Sequence, residues 1–212
     1  MSRKRRLNLK IKEYTKTYSP YSPEEIRRTE AAFDWARSVV LAVTVMFVIF
    51  TFFIRPCKVI GDSMLDTLQD GNWLLCTAFD MHPKYGEIVI ITQPNTGRNE
   101  PIVKRLIATE GQTVDIDFST GEVTVDGETL YEPYIREQTR LKQGVDFPLT
   151  VPEGCLFVMG DNRNHSKDSR STDIGFIDKH YVLGRVFYRV LPFDRAGFIG
   201  VAEKQLATET EQ

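Results

Sequence analysis

Hydrophobic residues follow two different patterns along this chain. Residues 38–54 read SVVLAVTVMFVIFTFFI, an apolar run without a charged residue, glycine or proline. At about 1.5 Å per residue the run is about 25 Å long as a helix, close to the shortest length that crosses a bilayer core. Beyond Pro56 the apolar residues occur in short runs separated by turns, which is typical of β-strands. The pattern predicts a mainly β fold, an antiparallel β-sheet domain on a single N-terminal transmembrane helix.

The predicted strands are short and end at glycine, proline or polar residues: Trp73–Thr77, Glu87–Thr92, Ile102–Ile107, Thr113–Ile116, Glu122–Val125, Cys155–Met159 and Tyr181–Val190. Asp126-Gly127 predicts a tight turn after the alternating strand 122–125. Before the apolar run, Ser22-Pro23-Glu24-Glu25 is typical of a helix start, with an N-cap, a proline at the first position and acidic residues in the first turn. We expect that helix to continue into the apolar run.

The charges near the N-terminus predict the orientation of this anchor. Basic residues are concentrated before the apolar run: Arg3, Lys4, Arg5, Arg6, Lys10, Lys12 and Lys16. Such a flank normally stays in the cytoplasm. We therefore expect a single-pass protein of the plasma membrane with three regions: a cytoplasmic basic tail and short helix (1–37), the anchor (38–55) and an extracytoplasmic β domain (56–212) with an inserted β-hairpin lobe at about 111–154.

Two other interpretations of the apolar run fit less well. A buried core helix should have a polar face, and this run has only Ser38, Thr44 and Thr51. A cleaved signal peptide should end in small residues, whereas this run ends in bulky ones and Arg55-Pro56.

Composition excludes further classes of function. The net charge of −2 gives no reason to expect a nucleic-acid partner. The three cysteines, Cys57, Cys76 and Cys155, lack the spacing of a metal site, so we assign them no function and expect no metal or cofactor.

The first candidate for chemistry is Gly61-Asp62-Ser63-Met64-Leu65-Asp66-Thr67-Leu68, a few residues beyond the apolar run. A serine hydroxyl is a weak nucleophile unless a neighbouring base accepts its proton. The glycine allows a close turn that leaves the hydroxyl accessible. Alone, this segment is equally compatible with an ordinary turn.

The second candidate is Lys104, in the predicted strand Ile102–Ile107. Because side chains alternate along a strand, Lys104 shares a face with Ile102 and Leu106. Burial there would disfavour the charged form and lower the pKa, as a general base near neutral pH requires. A lysine on an edge strand with its amine in solvent is the alternative.

The third candidate is the polar segment 160–170, GDNRNHSKDSR, which follows the apolar strand Cys155–Met159. Its hydroxyl, carboxylate and arginine groups could orient a base. It could also be a solvated turn or a calcium loop, although it lacks the ligand spacing of the helix–loop–helix calcium site.

Together the three segments resemble bacterial type I signal peptidases of the single-span type. That family has a Ser-Met-x-Pro-Thr-Leu motif after its anchor, then a Lys-Arg strand, then a Gly-Asp-Asn…Ser-x-Asp-Ser-Arg segment. Here they correspond, in the same order, to 63–68, Lys104-Arg105 and 160–170, and the resemblance extends to Gly175-Phe176. Three ordered motifs and an anchor are more specific than any one of them.

The resemblance implies a membrane-bound serine endopeptidase that removes signal peptides from exported preproteins after small, Ala-x-Ala-like residues, close to the translocation machinery. Ser63 would be the nucleophile and Lys104 the general base, with the Ser63 N–H as one oxyanion donor. Ser166 would orient the lysine. Further residues would support the site or belong to the nucleophile motif: Asp168, Arg170, Gly160, Asp161, Asn162, Gly61, Asp62 and Met64.

The chain departs from the family pattern at several positions. Gly61 stands where many relatives have a serine that supplies a second oxyanion donor, so that donor must come from elsewhere. Glu110 and Gln112 replace a proline and an aspartate, and Asp66 replaces the proline of the first motif. A carboxylate near Lys104 would raise the lysine pKa and oppose its role as a base. We expect Asp66 to face solvent.

Three rival functions remain open from the sequence. A Ser-His-Asp triad could use His165 and Asp168, whereas His82 and His180 lie in unremarkable polar contexts. A non-enzymatic, membrane-tethered β-domain that binds envelope peptides would not need both Ser63 and Lys104. A soluble self-cleaving repressor would share the Ser-Lys chemistry, but it would not need an anchor.

Overall fold

The computed structural model describes residue 13 and residues 21–77, 83–94 and 100–200. The predicted basic tail and His82 therefore lie outside the described residues. Within the described residues, a long helix, α1 (Pro23–Phe52), begins at the predicted position. Ser22 Oγ accepts a hydrogen bond from the Glu25 amide (3.2 Å), and the Glu25 carboxylate accepts one from the Ser22 amide (2.7 Å). This reciprocal pair is a capping box, which satisfies backbone donors at the helix start.

The apolar part of α1 is long enough to cross a membrane, and none of its residues is buried within the protein. A helix of a soluble core would instead be mostly buried, so this alternative does not describe α1. The helix ends at Phe52, and Ile54 and Arg55, which the predicted span included, lie in the following strand.

After α1 the described residues form twelve β-strands. They are β1 (Ile54–Lys58), β2 (Trp73–Thr77), β3 (Ile88–Ile91), β4 (Ile102–Thr109), β5 (Thr113–Asp117), β6 (Glu122–Val125), β7 (Glu128–Thr129), β8 (Leu149–Thr150), β9 (Cys155–Met159), β10 (Ile177–Asp178), β11 (Val182–Leu191) and β12 (Gly197–Phe198). The first sheet has the order β1-β2-β11-β3-β4-β9-β10, with β12 paired to β11, and the second has the order β7-β6-β5-β8. Neighbouring strands are antiparallel, which confirms the predicted fold class.

All seven predicted strands are present, with small changes at their ends. Tyr181, predicted to begin the last of them, lies instead in a 3₁₀ turn, Lys179–Tyr181. The prediction missed β1 because Pro56 lies within it. β1 is an edge strand of the first sheet, where a residue without an N–H is tolerated. The other missed strands, β7, β8, β10 and β12, have only two residues each.

The Asp126-Gly127 turn joins β6 to β7 as predicted. Both residues have positive φ angles, 55° and 81°. This backbone matches the twist of a two-residue hairpin, and Asp and Gly are among the residues that adopt it most readily.

The centre of the first sheet is covered on both faces. On β3, Ile88 and Ile90 pack in one hydrophobic cluster, and Val89 and Ile91 pack in another. β4 lies between β3 and β9 in this covered part of the sheet, and its polar side chains Lys104 and Arg105 are buried.

The second sheet lies within the segment 111–154 that was predicted to form an inserted lobe. Its hydrophobic residues, including Val114 and Val123, share one core with Ile107 and Phe157 of the first sheet.

Candidate active site

The segment that carries Ser63 is fixed at several points. Gly61 has a φ of +87°, a left-handed conformation that favours glycine, and its amide donates to Asp70 Oδ1 (2.8 Å). Met64 is buried in the cluster that contains Leu68. Asp62 is exposed at the surface. The result is a turn that leaves the Ser63 side chain between an anchored methionine and a solvent-facing aspartate.

Ser63 and Lys104 lie within hydrogen-bond distance. Lys104 Nζ is 2.6 Å from Ser63 Oγ, although the two residues are 41 positions apart in the chain. The lysine side chain comes from β4, where Val89 of β3 lies directly opposite. Ile102 and Leu106, on the same face of β4, pack in the cluster that contains Val89. Three aliphatic residues therefore flank Lys104 on its face of the sheet.

This environment changes the ionisation of Lys104, which is only 3% exposed. Burial lowers the pKa of Lys104 from an ordinary value of 10.5 to about 8. Asp168 and Asp161 oppose this shift because negative charge stabilises the ammonium form, whereas Arg170 adds to it. A substantial fraction of Lys104 is therefore neutral near pH 8 and can accept a proton.

Asp168 and Arg170 form a fully buried ion pair. Arg170 donates from Nε and Nη2 to the two carboxylate oxygens of Asp168, both at 2.8 Å. Asp168 also accepts the Gly160 amide (2.9 Å). Burial would raise the pKa of the Asp168 carboxyl, but Arg170, Lys104 and the Gly160 amide hold it below its usual value. Asp168 is therefore an anion in the ground state.

Asp161 forms a second buried pair on the other side of the turn. Its carboxylate accepts hydrogen bonds from Arg105 Nε (2.8 Å) and Nη2 (2.6 Å), and Thr67 Oγ1 donates to it at 2.5 Å. Arg105 follows Lys104 on β4, and Thr67 belongs to the Ser63 segment. Asp161 thus connects all three sequence motifs.

Asn162 directly holds the segment that carries Ser63. Its amide N–H donates to the Ser63 carbonyl (3.0 Å), and its side-chain Nδ2 donates to the Asp62 carbonyl (3.0 Å). Gly160 allows this close approach, because a Cβ at this position would clash with Ser63 O and with Ser166 Oγ. The Gly160–Asn162 turn therefore sets the position of Ser63.

Ser166 does not make the predicted hydrogen bond to Lys104. Its Oγ is buried against Gly160 and has no hydrogen-bond partner among the described residues. The hydroxyl lies beside the turn, and in this structure Lys104 Nζ contacts Ser63 Oγ instead.

The alternative prediction of a Ser-His-Asp triad that uses His165 and Asp168 is wrong. The His165 side chain is 73% exposed and lies 3.5 Å from Glu137, not from Asp168, whose oxygens bind Arg170 and Gly160. His180 is also exposed and bonds to Asp178.

Asp66 faces solvent, as expected. It is 74% exposed and lies 4.0 Å from Arg136. Of the other departures from the family pattern, Glu110 accepts the Gly154 amide (2.6 Å) and Gln112 accepts the Thr109 amide (2.9 Å), so both belong to the turns at the ends of strands.

A groove of about 750 Å³ lies beside the segment that carries Ser63. It is lined by Asp62, Leu65, Arg136, Glu137, Asn162 and His165. Two of these residues, Asp62 and Leu65, lie within two positions of Ser63 in the sequence, so the groove lies next to the segment that carries Ser63.

Sequence reasoning assigned no role to Arg105 or Thr67, although both lie inside the quoted motifs. Their signal was weak, because a buried arginine on a strand can be recognised only when its carboxylate partner is known. Asp161 lies 56 residues further along the chain than Arg105.

Comparisons with known proteins identify the family of this chain. The profile of the family described as signal peptidase, peptidase S26, matches residues 32–191. Signal peptidase I of Bacillus licheniformis is 36% identical to this chain, covering 79% of it and 92% of the relative. Probable signal peptidase I-1 of Synechocystis sp. is 33% identical, covering 76% of this chain and 84% of its own. A solved structure of a signal peptidase I from Enterococcus faecalis aligns with 49% of this chain and 96% of its own, at 30% identity and a TM-score of 0.42. With a matching family profile over residues 32–191 and relatives aligned over most of their length, the chain belongs to the signal peptidase family, peptidase S26.

Proposed function

We propose that this protein is a membrane-anchored serine endopeptidase that cleaves N-terminal signal peptides from exported preproteins after small, Ala-x-Ala-like residues. The observation that carries the proposal is the 2.6 Å contact between Ser63 Oγ and the buried amine of Lys104. A nucleophile and a base within hydrogen-bond reach are the minimum that covalent serine catalysis requires.

In the first half of the reaction, neutral Lys104 accepts the Ser63 proton while Ser63 Oγ attacks the scissile carbonyl. The Ser63 N–H donates to the oxyanion that forms. The Lys104 ammonium then gives its proton to the leaving amine, and the signal peptide remains as an acyl ester on Ser63.

In the second half, neutral Lys104 takes a proton from a water molecule that attacks the ester carbonyl. The Lys104 ammonium then returns a proton to Ser63 Oγ as the ester bond breaks, which releases the signal peptide with a free carboxyl group and restores the enzyme. Asp168, Arg170, Asp161 and Asn162 support these steps by holding the turn beside Ser63. Since Lys104 must be neutral at the start of both halves, its low pKa serves each of them.

The same proposal covers the location of the protein. The N-terminal tail lies in the cytoplasm, α1 spans the plasma membrane, and residues 56–212 form the extracytoplasmic catalytic domain. The excess of basic residues before the apolar run supports this orientation. Exported preproteins, the lipid bilayer and the translocation machinery are then its partners.

The alternative is a non-enzymatic membrane-tethered β-domain. It would have no reason to bury a lysine against a serine at a cost in stability. Membership of a peptidase family also weighs against it.

The proposal is tested by cleavage of a model preprotein with purified full-length variants in detergent. Ser63→Ala and Lys104→Ala should each abolish processing while the variants still fold, because the two residues act as one unit. Substantial cleavage by a folded Lys104→Ala protein would contradict the dyad. The orientation is tested separately, because protease added to intact spheroplasts should digest loops of the β domain and leave the basic tail intact.

A further inference from the structure

Arg163 lies directly after the Gly160–Asn162 turn, and its side chain is completely buried. Its guanidinium donates from Nη1 and Nη2 to the two oxygens of Glu132 (2.8 and 2.6 Å). Nη1 also donates to Thr139 Oγ1 (3.0 Å). Glu132 and Thr139 both belong to residues 130–148, the segment that connects β7 to β8. A part of the chain outside all three sequence motifs therefore satisfies this buried charge.

The other side of Arg163 contacts the turn. Nε donates to the Gly160 carbonyl (3.0 Å), and the Arg163 carbonyl accepts Arg170 Nη2 (2.5 Å). Gly160 in turn donates to Asp168, and its neighbour Asn162 donates to the Ser63 carbonyl. The Glu132–Arg163 hydrogen bonds and the Asn162–Ser63 hydrogen bond are joined by the peptide bond between Asn162 and Arg163, so Glu132 is connected to Ser63 through one short stretch of backbone.

Tyr134 provides a second connection from the same segment. Its ring centroid lies 4.0 Å from the guanidinium carbon of Arg105, which is a favourable cation–π distance. Its hydroxyl donates to Glu132 Oε1 (3.0 Å). Tyr134 therefore contacts the Arg105–Asp161 pair through its ring. Through its hydroxyl it contacts Glu132, the partner of Arg163.

We propose that Glu132 and Tyr134 are positioning residues for the Ser63–Lys104 pair, acting through Arg163 and Arg105 on the Gly160–Asn162 turn. The inference rests on the proposed function, since it assigns these residues a role in that reaction. A buried guanidinium that loses its carboxylate must either move toward water or admit water. Either change displaces the turn that fixes Ser63.

The same displacement affects Lys104. The charged groups that act on this amine are Asp168, Arg170 and Asp161, and all three are held by the turn or its neighbours. A looser turn lets water reach the amine, so the pKa of Lys104 rises toward its ordinary value. A purely structural role for Glu132 would lower the amount of folded protein without this change.

The test compares Glu132→Gln and Tyr134→Phe with the full-length wild type in cleavage of one peptide across a range of pH. Glu132→Gln keeps the shape and removes the charge. Tyr134→Phe keeps the ring at Arg105 and removes the hydroxyl. The matched control is Asp146→Asn, which breaks the exposed Lys142–Asp146 pair (2.8 Å) in the same segment. Thermal unfolding in detergent reports whether each variant folds.

We expect Glu132→Gln to lower kcat by between about 10- and 100-fold with little change in KM, the loss typical of a misplaced catalytic group. The apparent pKa of activity should rise, Tyr134→Phe should show both effects more weakly, and Asp146→Asn should match the wild type. Wild-type kcat and pKa in both test variants would overturn the inference, as would an activity loss that only follows the folded fraction. If Glu132→Gln does not fold, Tyr134→Phe alone decides by the same criteria. An inactive wild type would instead contradict the proposed function.

Discussion

The burial of Lys104 predicts how activity depends on pH. Lysine with its ordinary pKa of 10.5 is about 0.03% neutral at pH 7, whereas a pKa of about 8 makes it about 10% neutral. The structure therefore increases the neutral fraction of Lys104 about 300-fold at pH 7. The shift is downward, so activity rises with pH as Lys104 loses its proton and levels off above about pH 9.

Val89→Thr perturbs this environment with almost no change in shape. Val89 is fully buried and lies opposite Lys104, so the new hydroxyl gives the ammonium a polar neighbour. The pKa of Lys104 should rise by about half a unit to one unit, which lowers the rate at pH 7 by about 3- to 10-fold and leaves the plateau rate nearly unchanged.

The measurement is a pH–rate profile for one peptide substrate, with Val123→Thr as the control. Val123 is equally buried but lies on β6 in the second sheet, so its variant should keep the wild-type pKa. Wild-type activity that rises only near pH 10.5, or an equal shift of the apparent pKa in Val89→Thr and Val123→Thr, would contradict the role of burial at Lys104. A rise of activity near pH 6.5 that disappears in His165→Ala would show that this histidine is the base.

His165→Ala should retain activity within about threefold in the same peptide assay, because its exposed pair with Glu137 contributes little. A loss as complete as that of Ser63→Ala in a folded protein would restore the triad. Asp66→Asn should leave the pKa of activity nearly unchanged, since Asp66 is exposed beside Arg136, and a clear drop in that pKa would place the carboxylate near the lysine. Lys104→Met should be inactive but more resistant to thermal unfolding at pH 7, by up to about 3 kcal/mol, because it removes the cost of burying an ammonium group. The difference in the free energy of unfolding between Lys104→Met and the wild type should shrink as the pH rises from about 8 to 10.5, because Lys104 loses its proton first in the folded and then in the unfolded wild type. A difference that stays constant with pH would argue against this explanation.

Local patterns in the sequence were sufficient for the helix and most strands. The start of α1 depends on the capping residues Ser22 and Glu25, and the alternation in 122–125 with the Asp126-Gly127 turn specifies a hairpin. These features were predictable because the interactions that produce them join residues close in sequence. β1 was missed because the tolerance for Pro56 depends on its position at the edge of a sheet.

The sequence also indicated Ser63 and Lys104 as partners, and the alternation on β4 gave the physical reason for a low lysine pKa. It could not show that the Ser166 hydroxyl lies away from Lys104, because the position of that hydroxyl depends on how closely the turn packs on Gly160.

Only the tertiary structure decided which carboxylate neutralises each buried arginine. Asp168 and Arg170 are two residues apart within one motif, whereas Asp161 pairs with Arg105 across 56 residues and Glu132 pairs with Arg163 across 31. No local pattern marks such pairs, because a charged residue in a loop looks the same in sequence whether it meets solvent or a buried guanidinium. The partner is chosen when strands and loops pack, since an unpaired charge in that interior would be too costly to keep.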